Sequence, residues 1–288
     1  FILIFSLGFS AKAQQNYWQQ QADYTLRVKL QPSTNILEGY ESLVYSNNSP
    51  DTLHQLYYHL YYNAFQPGSE MDIRSRTIQD PDKRVGDRIS KLKEDEIGEY
   101  FIKGIEVNHQ PVTDFTVRET NLEIKLPKPL LPGKTATIDM EFESQIPIQI
   151  RRTGRYNSEN VAYSMTQWYP KICEYDKDGW ATDPYIGREF YGVWGNFDVY
   201  ITIPDSFKIA GTGEFISKIQ TPIISQDKNG TIESEKWVTW HFIAENVHDY
   251  AWAADPDYVI DEYKVDKNLK LIFAYKKSLK TVENWRKL

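Results

Sequence analysis

Apolar side chains recur at every second position along most of this chain, the period of strands that bury one face. Tyr24, Leu26, Val28 and Leu30 alternate with Thr25, Arg27 and Lys29. Leu122, Ile124 and Leu126 alternate with Glu123 and Lys125, and Ile138, Met140 and Phe142 with Asp139, Glu141 and Glu143. Phe197, Val199, Ile201 and Ile203 alternate with Asp198, Tyr200 and Thr202. Each run predicts a half-buried antiparallel strand. Leu56, Tyr58, Leu60 and Tyr62 alternate with Tyr57, His59 and Tyr61, so both faces are apolar or aromatic and the run predicts a central strand through Tyr62. Val238, Trp240 and Phe242 predict another strand, and Leu269 to Tyr275 one more.

Turn residues separate these runs. Leu131-Pro132-Gly133-Lys134 and Asp227-Lys228-Asn229-Gly230 place Gly or Asn-Gly where positive φ is expected. The pattern as a whole predicts a mainly β chain, a large antiparallel or mixed β-sandwich or saddle-like sheet assembly. Two regions depart from it. Residues 64–98 are polar and of mixed charge, and read as a solvated excursion with some helix. Lys277 to Leu288 carries Leu279, Val282, Trp285 and Leu288 at near-helical spacing, which predicts the first helix of a following domain.

The N-terminus has a different character. Phe1 to Ser10 is an apolar run, followed by Ala11-Lys12-Ala13 and then polar Gln14-Gln15-Asn16. This matches the hydrophobic core and small-x-small cleavage site of a secretory signal, and it is too short to span a bilayer. Residues 1–13 are therefore expected to be a signal remnant, 17–276 one β domain and 277–288 the start of the next. An exported chain, periplasmic or extracellular, with no membrane span once mature, is the expectation. Cys173 is the only cysteine, so no intrachain disulfide forms; it reads as a small buried hydrophobe.

Composition narrows the chemistry. Aromatic residues make up 14% of the 288 residues, which favours strands and recognition surfaces. The net charge of −7 and the absence of a basic stripe argue against nucleic-acid binding. Neither GxGxxG nor a Walker motif supports nucleotide binding, and no G-x-S-x-G elbow supports a serine nucleophile. The five histidines, His54, His59, His109, His241 and His248, contain no His-Glu-x-x-His pair, and His54 and His59 point to opposite faces of one strand. No catalytic or metal-ligating residue is assigned. Glu174, Asp176, Asp178 and Asp183 surround Trp180, an acidic and aromatic grouping that leaves a sugar-binding reading open.

The densest aromatic block carries a resemblance. Val161-Ala162-Tyr163-Ser164-Met165-Thr166-Gln167-Trp168-Tyr169-Pro170-Lys171, then Asp178-Gly179-Trp180, Glu189-Phe190-Tyr191 and Gly195-Asn196-Phe197-Asp198-Val199, resembles the N-terminal domain of aminopeptidase-N-like zinc metallopeptidases. These are the gluzincins that include leukotriene A4 hydrolase, and the match is to an exported bacterial branch. Leu37-Glu38-Gly39, Ile203-Pro204 to Glu214 and Asn246 to Asp255 agree with it, over residues 17–275 or so. The resemblance implies a β domain forming one wall of a peptidase cleft, with a peptide substrate and the protein's own C-terminal catalytic domain as partners. Zinc and its His-Glu-x-x-His helix would belong to that catalytic domain, so this chain alone is expected to bind no metal and to be inactive.

By the same resemblance, Gln167 lines the pocket for the substrate's first side chain. Two residues on, many aminopeptidases place an acidic or amide side chain that holds the free α-amine; here that position is Tyr169, with a hydroxyl and a π-face. Trp168, Trp180 and Trp194 are expected to pack the core or a domain interface. Two further readings stand beside this one: a secreted β-sandwich module stacking glycans on Trp and Tyr, and a non-catalytic peptidase-like scaffold.

Overall fold

Period-two alternation becomes strand after strand in the computed structural model, which describes residues 17–78, 83–187, 190–221, 223–226, 232–267 and 269–276. The expected signal segment 1–13, the turn Asp227 to Gly230 and the expected helix from Lys277 lie outside the described residues. In chain order the strands begin with β1 (Gln21–Gln31), β2 (Ile36–Asn47), β3 (Leu53–His59), β4 (Glu99–Val107), β5 (Gln110–Pro111), β6 (Phe115–Arg118), β7 (Asn121–Leu130) and β8 (Lys134–Gln145). Short pieces follow: β9 (Gly154–Arg155), β10 (Tyr163–Met165), β11 (Lys171–Ile172), β12 (Tyr175–Asp176) and β13 (Gly179–Trp180). The last group is β14 (Gly195–Pro204), β15 (Lys208–Gly211), β16 (Glu214–Gln220), β17 (Ile223–Gln226), β18 (Ile232–Glu235), β19 (Trp237–Val247), β20 (Trp252–Asp255), β21 (Tyr258–Lys264) and β22 (Lys270–Lys276).

The main sheet runs β16-β19-β14-β1-β2-β8-β4-β5. It is mixed: β1 pairs antiparallel with β2 and parallel with β14, placing Tyr24 opposite Leu43 on one side and Phe197 on the other. Two four-stranded sheets, β15-β20-β10-β9 and β11-β3-β7-β6, complete the frame around the core. One continuous core joins the inner face of the main sheet (Leu26, Val28, Leu43, Ile138, Val199) to Leu56 and Tyr58 of β3 and to Met165, Trp168 and Trp252. Each such side chain withdrawn from water contributes roughly 1.5–3 kcal/mol before entropy is counted. No helix among the described residues is long and apolar enough to cross a membrane.

Two expectations need correction. The strand expected through Tyr62 stops at His59, because its neighbour β7 begins at Asn121, directly opposite His59. With no ladder partner beyond, the Leu60 N–H donates to the Thr120 carbonyl at 2.7 Å and the chain turns into a 3₁₀ segment, Tyr61–Ala64. The excursion 64–98 does contain a helix, α1 (Glu70–Thr77), whose N-cap Ser69 hydroxyl accepts from the Asp72 N–H at 3.2 Å. It is anchored rather than solvated: Met71, Val85 and Ile89 build a second small core with Tyr61, Phe65 and Tyr185.

The Gly195-Asn196 pair marks where β14 joins the sheet. A Cβ on Gly195 would lie 1.7 Å from the Ala22 carbonyl oxygen, so only glycine permits this approach to β1. Asn196 then ties three strands together: its N–H and Nδ2 both donate to Asp23 Oδ1 at 2.9 Å, and its Oδ1 accepts from the Asn246 N–H at 3.0 Å.

Candidate functional site

Gln167, Trp168 and Tyr169 follow β10 and lead into β11, where the chain crosses from one four-stranded sheet to the other. Their neighbours across the site are His248, Asp249 and Tyr250, which lead into β20. The Trp168 indole Nε1 donates to the Tyr250 carbonyl at 3.0 Å, fastening the two segments together. Trp168 also meets Trp252 and Tyr169 edge to face at centroid distances of 5.9 and 5.3 Å. That indole is wholly buried, in keeping with a packing role.

Tyr169 is wholly buried too. Its ring is gripped edge to face by Tyr24 and Phe197, at 5.3 and 5.8 Å, and its hydroxyl donates to Asp249 Oδ1 at 3.0 Å. Burial and the Asp249 carboxylate hold the phenol well above its ordinary pKa, so it stays a donor. The same carboxylate takes a 2.8 Å hydrogen bond from the Tyr250 N–H, and its Oδ2 lies 3.3 Å from Lys171 Nζ.

Lys171 is a buried cation, its side chain 7% exposed against 24% for Asp249. Its ammonium also donates to the His248 carbonyl at 2.7 Å, and Gly192 leaves room for it, since a Cβ there would lie 2.7 Å from Nζ. Burial lowers the lysine's pKa, and the Asp249 charge opposes the shift. Asp249 is thus the partly exposed member of a group whose other members, Tyr169 and Lys171, lie beneath it. Sequence reading assigned no role to Asp249 or Lys171. The available signal was Lys171 itself, a cation between Pro170 and Ile172 that needs a distant anion once buried.

Gln167 is almost buried, at 7% exposure, and sits at φ 49°, a left-handed conformation that any residue with a Cβ resists. The Tyr100 hydroxyl donates to its carbonyl at 3.3 Å and the Thr166 hydroxyl to its Oε1 at 3.2 Å. Its amide nitrogen makes no hydrogen bond to a described residue, so a donor is left over at a strained backbone position.

The other aromatic residues of the block divide. Trp180 packs against Tyr45, Tyr57 and Tyr175, at 6.1, 5.7 and 5.1 Å, on the β12–β13 hairpin. Trp194 is 44% exposed and meets the His248 ring edge to face. The acids around Trp180 are engaged locally: Asp176 accepts from the Asp178 N–H and from the Tyr191 hydroxyl, and Glu174 is buried. Cys173 is buried, with its thiol pushed well up by desolvation.

The residues around Gln167 do not fit a zinc ion. Asp249 already faces the Lys171 ammonium, the His248 ring packs edge to face against Trp194, and His59 is buried. Among the described residues one group of donor side chains could hold a metal, Glu106, His109 and Asp139, and it belongs to the main sheet rather than to this site.

No protein-family model and no curated protein matches the chain. Solved structures do. One is a point mutant of a two-domain M1 zinc metallopeptidase bound to L-arginine, at 14% identity and a TM-score of 0.51, covering 91% of this chain and 49% of that one. A second is a point mutant of the M1 zinc metallopeptidase from Deinococcus radiodurans, at 16% identity and 0.51, with coverages of 91% and 48%. A mutant from the same organism bound to a Tyr-Ser-Ala substrate aligns at 14% and 0.50, with coverages of 88% and 46%. The chain spans about half the length of these proteins. At such identities the likeness is one of architecture: this chain has the fold of the mainly β N-terminal domain of M1 zinc metallopeptidases.

Proposed function

We propose that this chain is the substrate-wall domain of an exported, zinc-dependent, aminopeptidase-like enzyme that hydrolyses peptides. One observation carries the reading: Gln167 is held at a strained φ of 49° with its amide nitrogen unengaged, two residues before Tyr169, whose hydroxyl binds the partly exposed Asp249. Strain persists where surrounding structure enforces it, and such positions cluster at binding sites. A neutral amide donor suits the carbonyls of a peptide end, and a carboxylate suits its terminal amine. The L-arginine and Tyr-Ser-Ala held by proteins of the same fold support that choice of ligand class.

Hydrolysis itself belongs to a further domain. Zinc supplies carbonyl polarisation and an activated water in such enzymes, and the residues around Gln167 offer no ligand set for it. The apolar run Phe1 to Ser10 is the reason for proposing export.

The test is to express the 288-residue chain alone, and also joined to whatever its reading frame encodes next, and to assay both on aminoacyl-fluorogenic substrates. The longer protein is expected to turn over substrate, with KM raised by Gln167→Ala, and the chain alone to show no turnover even with added zinc. Turnover by the chain alone, or an inert longer protein lacking His-Glu-x-x-His, overturns the proposal. Export is checked separately by fractionating cells, where retention in the cytoplasm counts against it.

A further inference from the structure

On the solvent face of the main sheet, two carboxylates stand directly opposite each other. Glu106 of β4 and Asp139 of β8 are register partners, a pairing that costs stability when both are ionised. Neither has a Lys or Arg ion-pair partner among the described residues, although Lys103 on the same strand pairs with Glu143. Among the described residues the only side chain bonded to either is Tyr40, whose hydroxyl donates to Asp139 Oδ1 at 2.8 Å, orienting the carboxylate and leaving Oδ2 available.

The third member arrives through a turn. Val107 pairs with Gln110, leaving Asn108 and His109 as a two-residue hairpin loop with φ of 49° and 61°. Asn108 fastens that loop to β8: its N–H donates to the Thr137 carbonyl at 2.8 Å, and its Oδ1 accepts from the Thr137 N–H at 2.9 Å. The His109 imidazole is thereby held over the carboxylate pair, and one donor atom from each of Glu106, His109 and Asp139 lies within 4.8 Å of the others. All three line a cavity of about 800 Å³, with the hydroxyls of Tyr40, Ser42 and Thr137 on its wall.

We propose that Glu106, His109 and Asp139 bind a divalent transition-metal ion, of the class of Zn²⁺ or Mn²⁺. Metal bonds of about 2.0–2.2 Å put neighbouring ligands roughly 3–4 Å apart, so the exposed side chains close on an ion by small rotamer adjustments. One imidazole with two carboxylates is a borderline-to-hard set, without the thiolate that copper(I) prefers or the six to eight oxygens typical of Ca²⁺. The cavity leaves room for water at the remaining positions. An ion there replaces like-charge repulsion with shared coordination, so it would also stabilise the β4–β8 pairing. The site is open and lies outside the Gln167 region; it is an ion site in its own right. Such a site runs counter to the expectation that this chain binds no metal. Histidine spacing along the sequence did not reveal it, because Asp139 comes from a distant strand and only register brings it opposite Glu106.

The test uses the 288-residue chain stripped with chelator. Zn²⁺ is followed by calorimetry, Mn²⁺ by electron paramagnetic resonance and Co²⁺ by its visible spectrum. One saturable equivalent is expected, with affinity falling at least about tenfold in His109→Ala, Asp139→Asn and Glu106→Gln, and unchanged in the exposed control His54→Ala. The metal should raise the melting temperature of the unaltered chain and of His54→Ala alone. Absence of a saturable equivalent, or binding that survives both His109→Ala and Asp139→Asn, overturns the proposal. So does a result in which His109→Ala lowers stability while metal leaves the melting temperature of the unaltered chain unchanged, which would make His109 only a counter-ion. The three substituted side chains lie at the surface or partly exposed, and denaturant unfolding of each variant verifies that it is folded.

Discussion

The Tyr169 hydroxyl and the Asp249 carboxylate are joined at 3.0 Å, and of the two only Asp249 is open to solvent. Any influence of Tyr169 on a ligand therefore runs through Asp249, which it orients. Beneath the same carboxylate lies the buried Lys171 ammonium.

Removing the anion should cost more than removing the hydroxyl. Asp249→Asn leaves Lys171 as a buried charge without its counter-ion and is expected to lower stability by about 3–5 kcal/mol. Tyr169→Phe deletes one hydrogen bond while keeping the ring among Tyr24 and Phe197, a loss of about 1 kcal/mol. Lys171→Met combined with Asp249→Asn should recover much of the larger loss, because no buried charge remains. Urea unfolding of the four proteins measures this. Equal losses for Asp249→Asn and Tyr169→Phe would show that the ion pair carries no more than one hydrogen bond.

Gln167 offers a different trade. Its φ of 49° disfavours any residue with a Cβ by about 1–2 kcal/mol, and glycine is free of that penalty. Gln167→Gly is expected to leave the chain as stable or up to about 1 kcal/mol more stable, while weakening peptide binding in the protein that carries the catalytic domain. Gln167→Ala should share the binding loss without the gain. If Gln167→Gly and Gln167→Ala both destabilise by more than about 1 kcal/mol, the side chain is holding the fold together rather than serving a ligand.

The strands themselves were legible wherever alternation was regular, but not which strand each would pair with. β1, β7, β8, β14 and β19 lie where their apolar periods placed them, because one buried face per strand leaves a period-two trace. The end of β3 was not legible: Leu60 and Tyr62 continue the pattern, but only the position of Asn121 on the neighbouring strand decides where the ladder stops. Nor was the anchoring of residues 64–98, since Met71, Val85 and Ile89 are isolated apolar positions in a polar stretch and meet only in three dimensions. The candidate site shows the same division. The aromatic block drew attention to Gln167 and Tyr169, whereas Asp249 and Lys171 come together across a long loop closure that no local pattern records.

Gly195 should tolerate no side chain. A Cβ there would sit 1.7 Å from the Ala22 carbonyl oxygen, a backbone atom that can move only by parting β1 from β14. Gly195→Ala is expected to cost at least about 3 kcal/mol, at or beyond the usual range for overpacking. Asn196→Ala, which cuts the ties to Asp23 and Asn246, should cost about 1–3 kcal/mol. Thermal and urea unfolding give both values. A Gly195→Ala loss smaller than that of Asn196→Ala would mean the junction relaxes without strain.

Glu174 and His59 give stability opposite pH slopes. Burial, reinforced by the Asp176 carboxylate, pushes Glu174 up from 4.5 to about 7; burial, reinforced by the Lys171 ammonium, pushes His59 down from 6.5 to about 4. Between pH 4.5 and 7 the folded chain keeps a proton on Glu174 that the unfolded chain has released. Stability from that group is full below pH 4.5 and is lost as pH rises towards 7. His59 works in reverse: between pH 6.5 and 4 the unfolded chain takes up a proton that the folded chain refuses, so its contribution is full above 6.5 and lost as pH falls. Each slope is limited to about 1.4 kcal/mol per pH unit. The two oppose each other between pH 4.5 and 6.5, so neither can be read from the unaltered chain alone. Glu174→Gln should gain stability relative to the unaltered chain as pH rises from 4.5 to 7, and His59→Gln should gain as pH falls from 6.5 to 4, whatever constant offset each substitution carries. Urea unfolding at half-unit steps between pH 4 and 8 resolves the two differences. A difference curve that is flat for Glu174→Gln would place the ionised carboxylate, not the acid, in the folded chain at pH 6, and would remove Glu174 from the groups that set its pH response.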